Sequence, residues 1–260
     1  MIRKTFTAAL AALFLLPLAA PLAAEEAAPT LEQVIDKNLA ARGGKDKLTA
    51  MKSVRITGKM TMGPGMEAPF VLEWKRPEKM RMEFTIQGMT GVQAFDGESG
   101  WMVMPFMGKT TPEKMPEDAA KEVREQADFE GTLVNWKDKG HTVELLGVEE
   151  VEGTPAYKLK VTKKGGEVET LFIDTDSNLE FKSAQKREQN GQEMEVESIY
   201  GDYKEVAGLM MPHSIEARAV GMPMSQVMTI EKIEVDADIA DSRFVMPAAE
   251  PAPAPAPPSN

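Results

Sequence analysis

Residues 70–86 read Phe-Val-Leu-Glu-Trp-Lys-Arg-Pro-Glu-Lys-Met-Arg-Met-Glu-Phe-Thr-Ile. Phe70, Leu72 and Trp74 share one parity, and charged Glu73 and Lys75 fall on the other. After Arg76-Pro77, where proline ends pairing, Met80, Met82, Phe84 and Ile86 alternate with Arg81, Glu83 and Thr85. Alternation with period two marks a β-strand with one apolar and one polar face, so the stretch predicts two neighbouring strands of a meander. The apolar positions carry thioethers and aromatics, which suit an adaptable surface better than a tightly fitted core.

The same period extends in both directions. Upstream, Val54, Ile56, Met60 and Met62 share a parity before the turn Gly63-Pro64-Gly65. Downstream, Val92–Phe95 and Trp101–Met104 flank an Asp96-Gly97 turn. Seven further strands are predicted between residues 143 and 234, punctuated at Glu152-Gly153, Gly165-Gly166, Asp176–Asn178, Asn190-Gly191 and Ala207-Gly208. About eleven antiparallel strands cannot lie flat without strong curling, so a mainly β, incomplete, half-closed barrel is expected. Two helical patterns stand outside the meander and are expected to cover its concave side. Thr30 and Gln33 have capping-box spacing ahead of the stripe Leu31, Val34, Ile35, Leu39, and Gly43-Gly44 ends that helix. Pro116 restarts the chain before Glu117–Asp128, where Ala119, Val123 and Ala127 repeat at spacing four.

Residues 1–24 have the form of a secretory signal peptide: Arg3 and Lys4, then an apolar run, then small residues ending at Ala24. Residues 25–247 form the expected folded domain, and residues 248–260 an extended Ala/Pro-rich tail. The predicted destination is the periplasm. The chain has no Cys, which excludes disulfides, thiolate metal sites and thiol nucleophiles. With 30 basic and 41 acidic residues it carries −11, and −13 once the signal is removed, which argues against nucleic acid and anionic headgroups as partners.

No catalytic constellation stands out, and no cofactor or metal is expected. His141 and His213 lie in separate strand pairs with no obvious local partner. Asp174, Asp176 and Asn178 have part of a calcium-loop pattern but lack its glycine and terminal Glu. There is no Gly-x-Ser-x-Gly elbow and no phosphate-binding Gly loop ahead of a helix. The nineteen Met could bind Cu(I), but most sit at strand positions among Phe, Trp and Leu. That leaves two readings of the Met-rich face: ordinary core, or a lining that repacks around an apolar guest.

Four segments carry a resemblance to a known family. They are Leu31–Gly44 ending Ala-Ala-Arg-Gly-Gly, Leu72-Glu-Trp-Lys-Arg-Pro77, Phe95-Asp-Gly-Glu-Ser-Gly-Trp101, and the closing group Asp202-Tyr203, Gly208-Leu209, Pro212 and Asp241–Pro247. In order and spacing they resemble the periplasmic outer-membrane lipoprotein carrier and sorting proteins (LolA-like and LolB-like). The resemblance implies an incomplete antiparallel barrel plugged by helices, and a soluble carrier that shields lipoprotein acyl chains or another lipid between membranes. It implies transient contact with inner- and outer-membrane transfer proteins, a monomer, and no enzymatic activity. A non-transporting envelope module or a lipid sensor with the same fold is the alternative. The expected lining is Met60, Met62, Phe70, Leu72, Trp74, Met80, Met82, Phe84 and Trp101, and the lid's inner face is Met115, Ala119 and Val123. By the Lys-Arg-Pro motif, the family's lid latch falls on Arg76, and a lining aromatic of the family falls on Met80.

Overall fold

The computed structural model describes residues 28–248 apart from residues 64, 190, 191 and 223. The signal peptide and all but the first residue of the Pro-rich tail lie outside the described residues, as does the side chain of Met62.

Thr30 caps α1 (Leu31–Ala41) through the expected box: its Oγ1 accepts from Gln33 N–H at 3.3 Å, and Gln33 Oε1 accepts from Thr30 N–H at 2.9 Å. Gly43 follows at φ +112°, where a Cβ would meet the Gly208 carbonyl oxygen at 2.3 Å. Only glycine fits there, and the chain turns at once into the short helix α2 (Lys45–Ala50).

Strands then run without interruption. They are β1 (Ser53–Gly63), β2 (Met66–Lys75), β3 (Lys79–Ile86), β4 (Met89–Phe95), β5 (Gly100–Met104) and β6 (Lys109–Lys114). After α3 (Glu117–Gln126) come β7 (Thr142–Val151), β8 (Thr154–Thr162), β9 (Val168–Asp174), β10 (Glu180–Gln189), β11 (Gln192–Gly201), β12 (Lys204–Val206), β13 (Leu209–Met211), β14 (Ser214–Ala219) and β15 (Ser225–Val235). Thirteen of them form one antiparallel sheet in the order β6-β5-β4-β3-β2-β1-β15-β14-β11-β10-β9-β8-β7, and β12–β13 make a separate two-stranded ribbon. The register joins Phe70 to Phe84, Leu72 to Met82 and Trp74 to Met80, as the alternation requires.

The strand count exceeds the expected eleven. Strand β6 is one addition; Pro112 within it hides the pattern, yet an edge strand tolerates proline because one of its sides needs no ladder. The expected strand Met211–Ala217 divides into β13 and β14 around Pro212-His213.

The sheet is not closed: β6 and β7 are its two edges. It is curled nonetheless. Flat, β4 and β9 would lie about 38 Å apart at the usual strand spacing. Helix α3 packs on β3, β4 and β5, yet its Lys121 forms an ion pair with Glu167 in the β8–β9 turn. One hydrophobic cluster accordingly takes in Val34, Ile35 and Leu39 of α1, Leu48 of α2, Val123 of α3 and inner-face residues of β1–β4, β7–β9 and β15. The outer face is covered too. Residues 236–246 run across it as a strap, with Ile239 and Phe244 fully buried. Glu73, 1 % exposed, is held there by Arg55 at 2.8 Å and Arg243 at 2.6 Å.

Candidate functional site

The inner face between β5 and β15 is an apolar floor roofed by α3 and the segment after it. Met60, Phe70, Leu72 and Met80 are buried in its cluster, and Trp74, Met82 and Phe84 pack against it half-buried. These seven residues of the expected lining come together on one face. Trp101 does not join them. Its register partner is Ala94, on the outer parity, and its indole N–H donates to the Phe244 carbonyl at 2.6 Å under the strap. The neighbouring inner position is Gly100, where Ala120 of α3 lies so close that a Cβ would meet its Cβ at 3.1 Å. Strand β5 thus turns its small residue to the helix and its large one to the strap.

The lid residues divide in a similar way. Val123 is buried in the common cluster and Met115 packs against it. Ala119 is half-buried, while its neighbour Ala120 makes the close contact with β5. Val123 is the only buried residue within α3. Besides Val123, polar and ring contacts hold the helix at its middle and at its C-terminal end. Trp74 Nε1 donates to the Gln126 carbonyl at 2.7 Å, Arg124 lies over the Phe95 ring at 5.0 Å, and Lys121 pairs with Glu167.

Arg76 sits where β2 meets this roof. Its Nε donates to the Met51 carbonyl at 2.6 Å, tying the sheet to the end of α2. Its Nη2 donates to Glu130 Oε2 at 2.5 Å, and the guanidinium lies 5.3 Å from the Phe129 ring centre. Glu130 is buried, and Lys139 approaches its other oxygen at 3.2 Å. Burial pulls the Glu130 carboxyl pKa upward, but the hydrogen bonds and charges of Arg76 and Lys139 outweigh it and leave the group below its ordinary value. Arg42 of α1 also donates to the Glu130 carbonyl at 2.8 Å. The segment leaving α3 is thus anchored to both other helices and to β2 around one carboxylate. The sequence pointed to Arg76 but not to Phe129 or Glu130, which lie in a stretch with no periodicity.

Past Leu171 and Ile173 of β9, which belong to the hydrophobic cluster, the inner face carries polar side chains. Tyr200 and Ser183 share a hydrogen bond of 3.0 Å, Tyr203 donates to the Glu180 carbonyl at 2.5 Å, and Glu169 accepts from Thr132 at 3.1 Å. Burial, reinforced by the Glu169 carboxylate, pushes the Glu180 carboxyl up to about 8, so it is largely protonated at neutral pH. Burial raises both tyrosines as well. The histidines are engaged in local bonds: His141 Nδ1 accepts from Lys164 N–H at 3.2 Å, and His213 Nδ1 lies 3.0 Å from the Met211 carbonyl. Asp174 Oδ1 accepts from Asp176 and Ser177 N–H in a tight turn. Among the described residues, no group of three or more acidic or His side chains could hold a metal ion.

The roofed floor is packed. Two clefts open elsewhere. One of about 280 Å³ lies between α1 and residues 133–138, and one of about 240 Å³ lies between the β1–β2 and β14–β15 turns. Both fall below the roughly 300–1,000 Å³ typical of small-molecule pockets.

No family model matches the chain, and neither does any curated protein. Solved structures do. A LolA superfamily protein from Nitrosomonas europaea superposes with a TM-score of 0.54 at 15 % identity, covering 84 % of this chain and 98 % of that one. A DUF1329 family protein from Desulfovibrio piger gives 0.58 at 12 % identity, over 82 % and 96 %. A protein described as an outer membrane lipoprotein-sorting domain, from Vibrio parahaemolyticus, gives 0.56 at 12 % identity, over 81 % and 94 %. At such low identity the likeness concerns architecture, and the chain has the LolA-like fold.

Proposed function

We propose that this protein is a periplasmic carrier that takes acyl chains of lipoproteins, or of a related lipid, onto the Met-rich inner face of β1–β5 and β15 and delivers them toward the outer membrane. The observation that carries the reading is the junction of two unlike surfaces. A floor of Met, Phe and Trp lies under a helix that buries one residue, Val123, and is otherwise fastened by polar bonds at Lys121 and Gln126. A lipid's need for such a vehicle is large. At about 0.8 kcal/mol per methylene, a chain of about fifteen carbons costs roughly 12 kcal/mol to expose to water. Thioether side chains that repack and a roof that lifts allow both uptake and release.

On this reading Met60, Met62, Phe70, Leu72, Trp74, Met80, Met82 and Phe84 line the site, with Met115, Ala119 and Val123 as the inner face of the lid and Arg76 as its latch. The carrier works as a monomer, meets transfer proteins of the two membranes only in passing, and has no enzymatic activity. A LolA superfamily protein and a lipoprotein-sorting domain among the structural neighbours support the class of cargo. The test is native mass spectrometry of protein purified from cells without detergent. A mass increment that matches an acylated molecule, and that competing fatty acid displaces, is expected. A bare polypeptide mass, together with failure of added fatty acid to displace a bound hydrophobic dye, would leave the floor as ordinary core.

A further inference from the structure

The four hairpins β5–β6, β3–β4, β1–β2 and β14–β15 are consecutive in the sheet, and all four turn at the same end. Among the described residues, their tips carry six exposed large apolar side chains, and only Val245 and Met246 of the strap are exposed elsewhere in this half. Met107 is 69 % exposed, Met224 61 %, Met222 58 %, Val220 54 %, Met66 43 % and Met89 38 %. The surrounding sequence is uncharged over residues 60–66, 84–95, 99–108 and 219–230, in a chain that is 27 % charged. The opposite end of the same strands turns through Arg76-Pro77-Glu78 and Asp96-Gly97-Glu98, with Glu78 and Glu98 exposed. At the apolar end, the other half of the sheet turns β8 into β9 through Lys163-Lys164-Gly165-Gly166-Glu167. The apolar rim thus belongs to the strands that carry the Met-rich floor, at one end of them.

We propose that this rim docks on the surface of a zwitterionic lipid bilayer, a site that rests on the carrier reading and adds the place where cargo passes between membrane and protein. The occupant follows from three observations. The tips form a row about 34 Å long at ordinary strand spacing, and unbranched thioethers in a row present apolar area without directional partners. A bilayer requires only that area, whereas a protein partner's interface carries a polar rim with about one hydrogen bond per 100–200 Å². Charge selects the headgroup. The chain's −11 repels an anionic surface, and Lys59 and Lys109, next to the tips, are already paired with Glu231 at 3.7 Å and Glu113 at 3.2 Å. The rim is also continuous with the floor. Phe106 at the β5–β6 tip packs tilted at 50° against Phe84 with ring centres 5.5 Å apart, and the 240 Å³ cleft opens between two tips beside Met224. An acyl chain leaving the bilayer at this row would enter the inner face without crossing water.

The test is flotation of the folded protein with phosphatidylcholine vesicles, run beside uptake of a fluorescent fatty acid from vesicle-free solution. Wild type is expected to float. The variant M107D/M222D/M224D should partition at least about tenfold less, because binding scales with buried apolar area, and its fatty-acid uptake should be unchanged. M107L/M222L/M224L should float as wild type does, which separates apolarity from any specific contact. Wild type that takes up fatty acid but stays off the vesicles overturns the rim and spares the carrier. Equal flotation of wild type and the Asp variant overturns the rim as well, as does wild type that floats only once a membrane protein is added. A flotation difference with no uptake by either protein supports the rim and defeats the carrier.

Discussion

Glu130 lies between Arg76 and Lys139, and those two cations set the response of α3's anchorage to acid. Its folded pKa lies below the ordinary 4.5, so the carboxylate contributes stability that is present above that value and lost as pH falls through the folded one. The stability difference between wild type and Glu130→Gln, measured by chemical denaturation, should be full at neutral pH and shrink as pH falls below 4.5. At neutral pH, Arg76→Leu leaves the buried carboxylate with Lys139 alone. A loss of about 1–3 kcal/mol is expected, together with faster lipid release; unchanged release would remove Arg76 as a latch. Glu180 has the opposite sign. Its folded pKa of about 8 exceeds the unfolded 4.5, so folding is favoured below pH 4.5 and loses stability as pH rises from there to 8. Glu180→Gln should therefore be nearly neutral at pH 4 and stabilising at pH 8, read from the two denaturation midpoints. None of these environments was visible in the sequence, because Arg76 and Glu130 are 54 positions apart and the Glu180 shift comes mainly from burial. Trp101 marks the same boundary. Alternation fixes that Trp101 and Ala94 share a face, but a strand covered on both sides, by α3 and by the C-terminal strap, gives no signal of which face is which.

At the scale of elements, the capping box of α1, the Gly43 stop, the β2–β3 pairing and the break at Pro116 were all legible, because each rests on local stereochemistry. Strand β6 was not, because Pro112 reads as a breaker until the strand is known to be an edge. The mobility asked of α3 follows from its thin attachment. Gly100 and Ala120 offer a way to remove it. A Cβ at Gly100 would stand 3.1 Å from that of Ala120, a few tenths of an ångström short of the disulfide range of about 3.5–4.5 Å, so a small outward shift of α3 admits the bridge. In a chain with no Cys, G100C/A120C can form only that one intramolecular bridge. Oxidised protein is expected to refuse a fluorescent fatty acid, and reduction should restore uptake. Equal uptake in both states would place the site outside the space that α3 covers.

At the scale of the whole molecule, a packed interior constrains the order of events. The inner face is occupied by the protein's own side chains: Met60, Phe70 and Met80 are each at most 2 % exposed, and Val34 and Leu39 of α1 are buried in the same cluster. On the carrier reading, an acyl chain finds no preformed tunnel of its own size among the described residues, so opening has to precede binding. The binding-competent state is then a minor one, and affinity is reduced by its fractional population. Kinetics report this directly. Mixed with rising concentrations of a fluorescent fatty acid in stopped flow, the protein should show an observed rate that levels off at the opening rate of the roof rather than climbing in proportion to ligand. Arg76→Leu frees one end of the segment that follows α3, so it should raise that plateau and, by enlarging the open fraction, raise the slope at low ligand concentration as well. A rate that grows linearly with ligand up to saturation, in wild type and variant alike, would mean that the lipid meets a surface already open, and the floor beneath α3 would then be core in its resting and its working state.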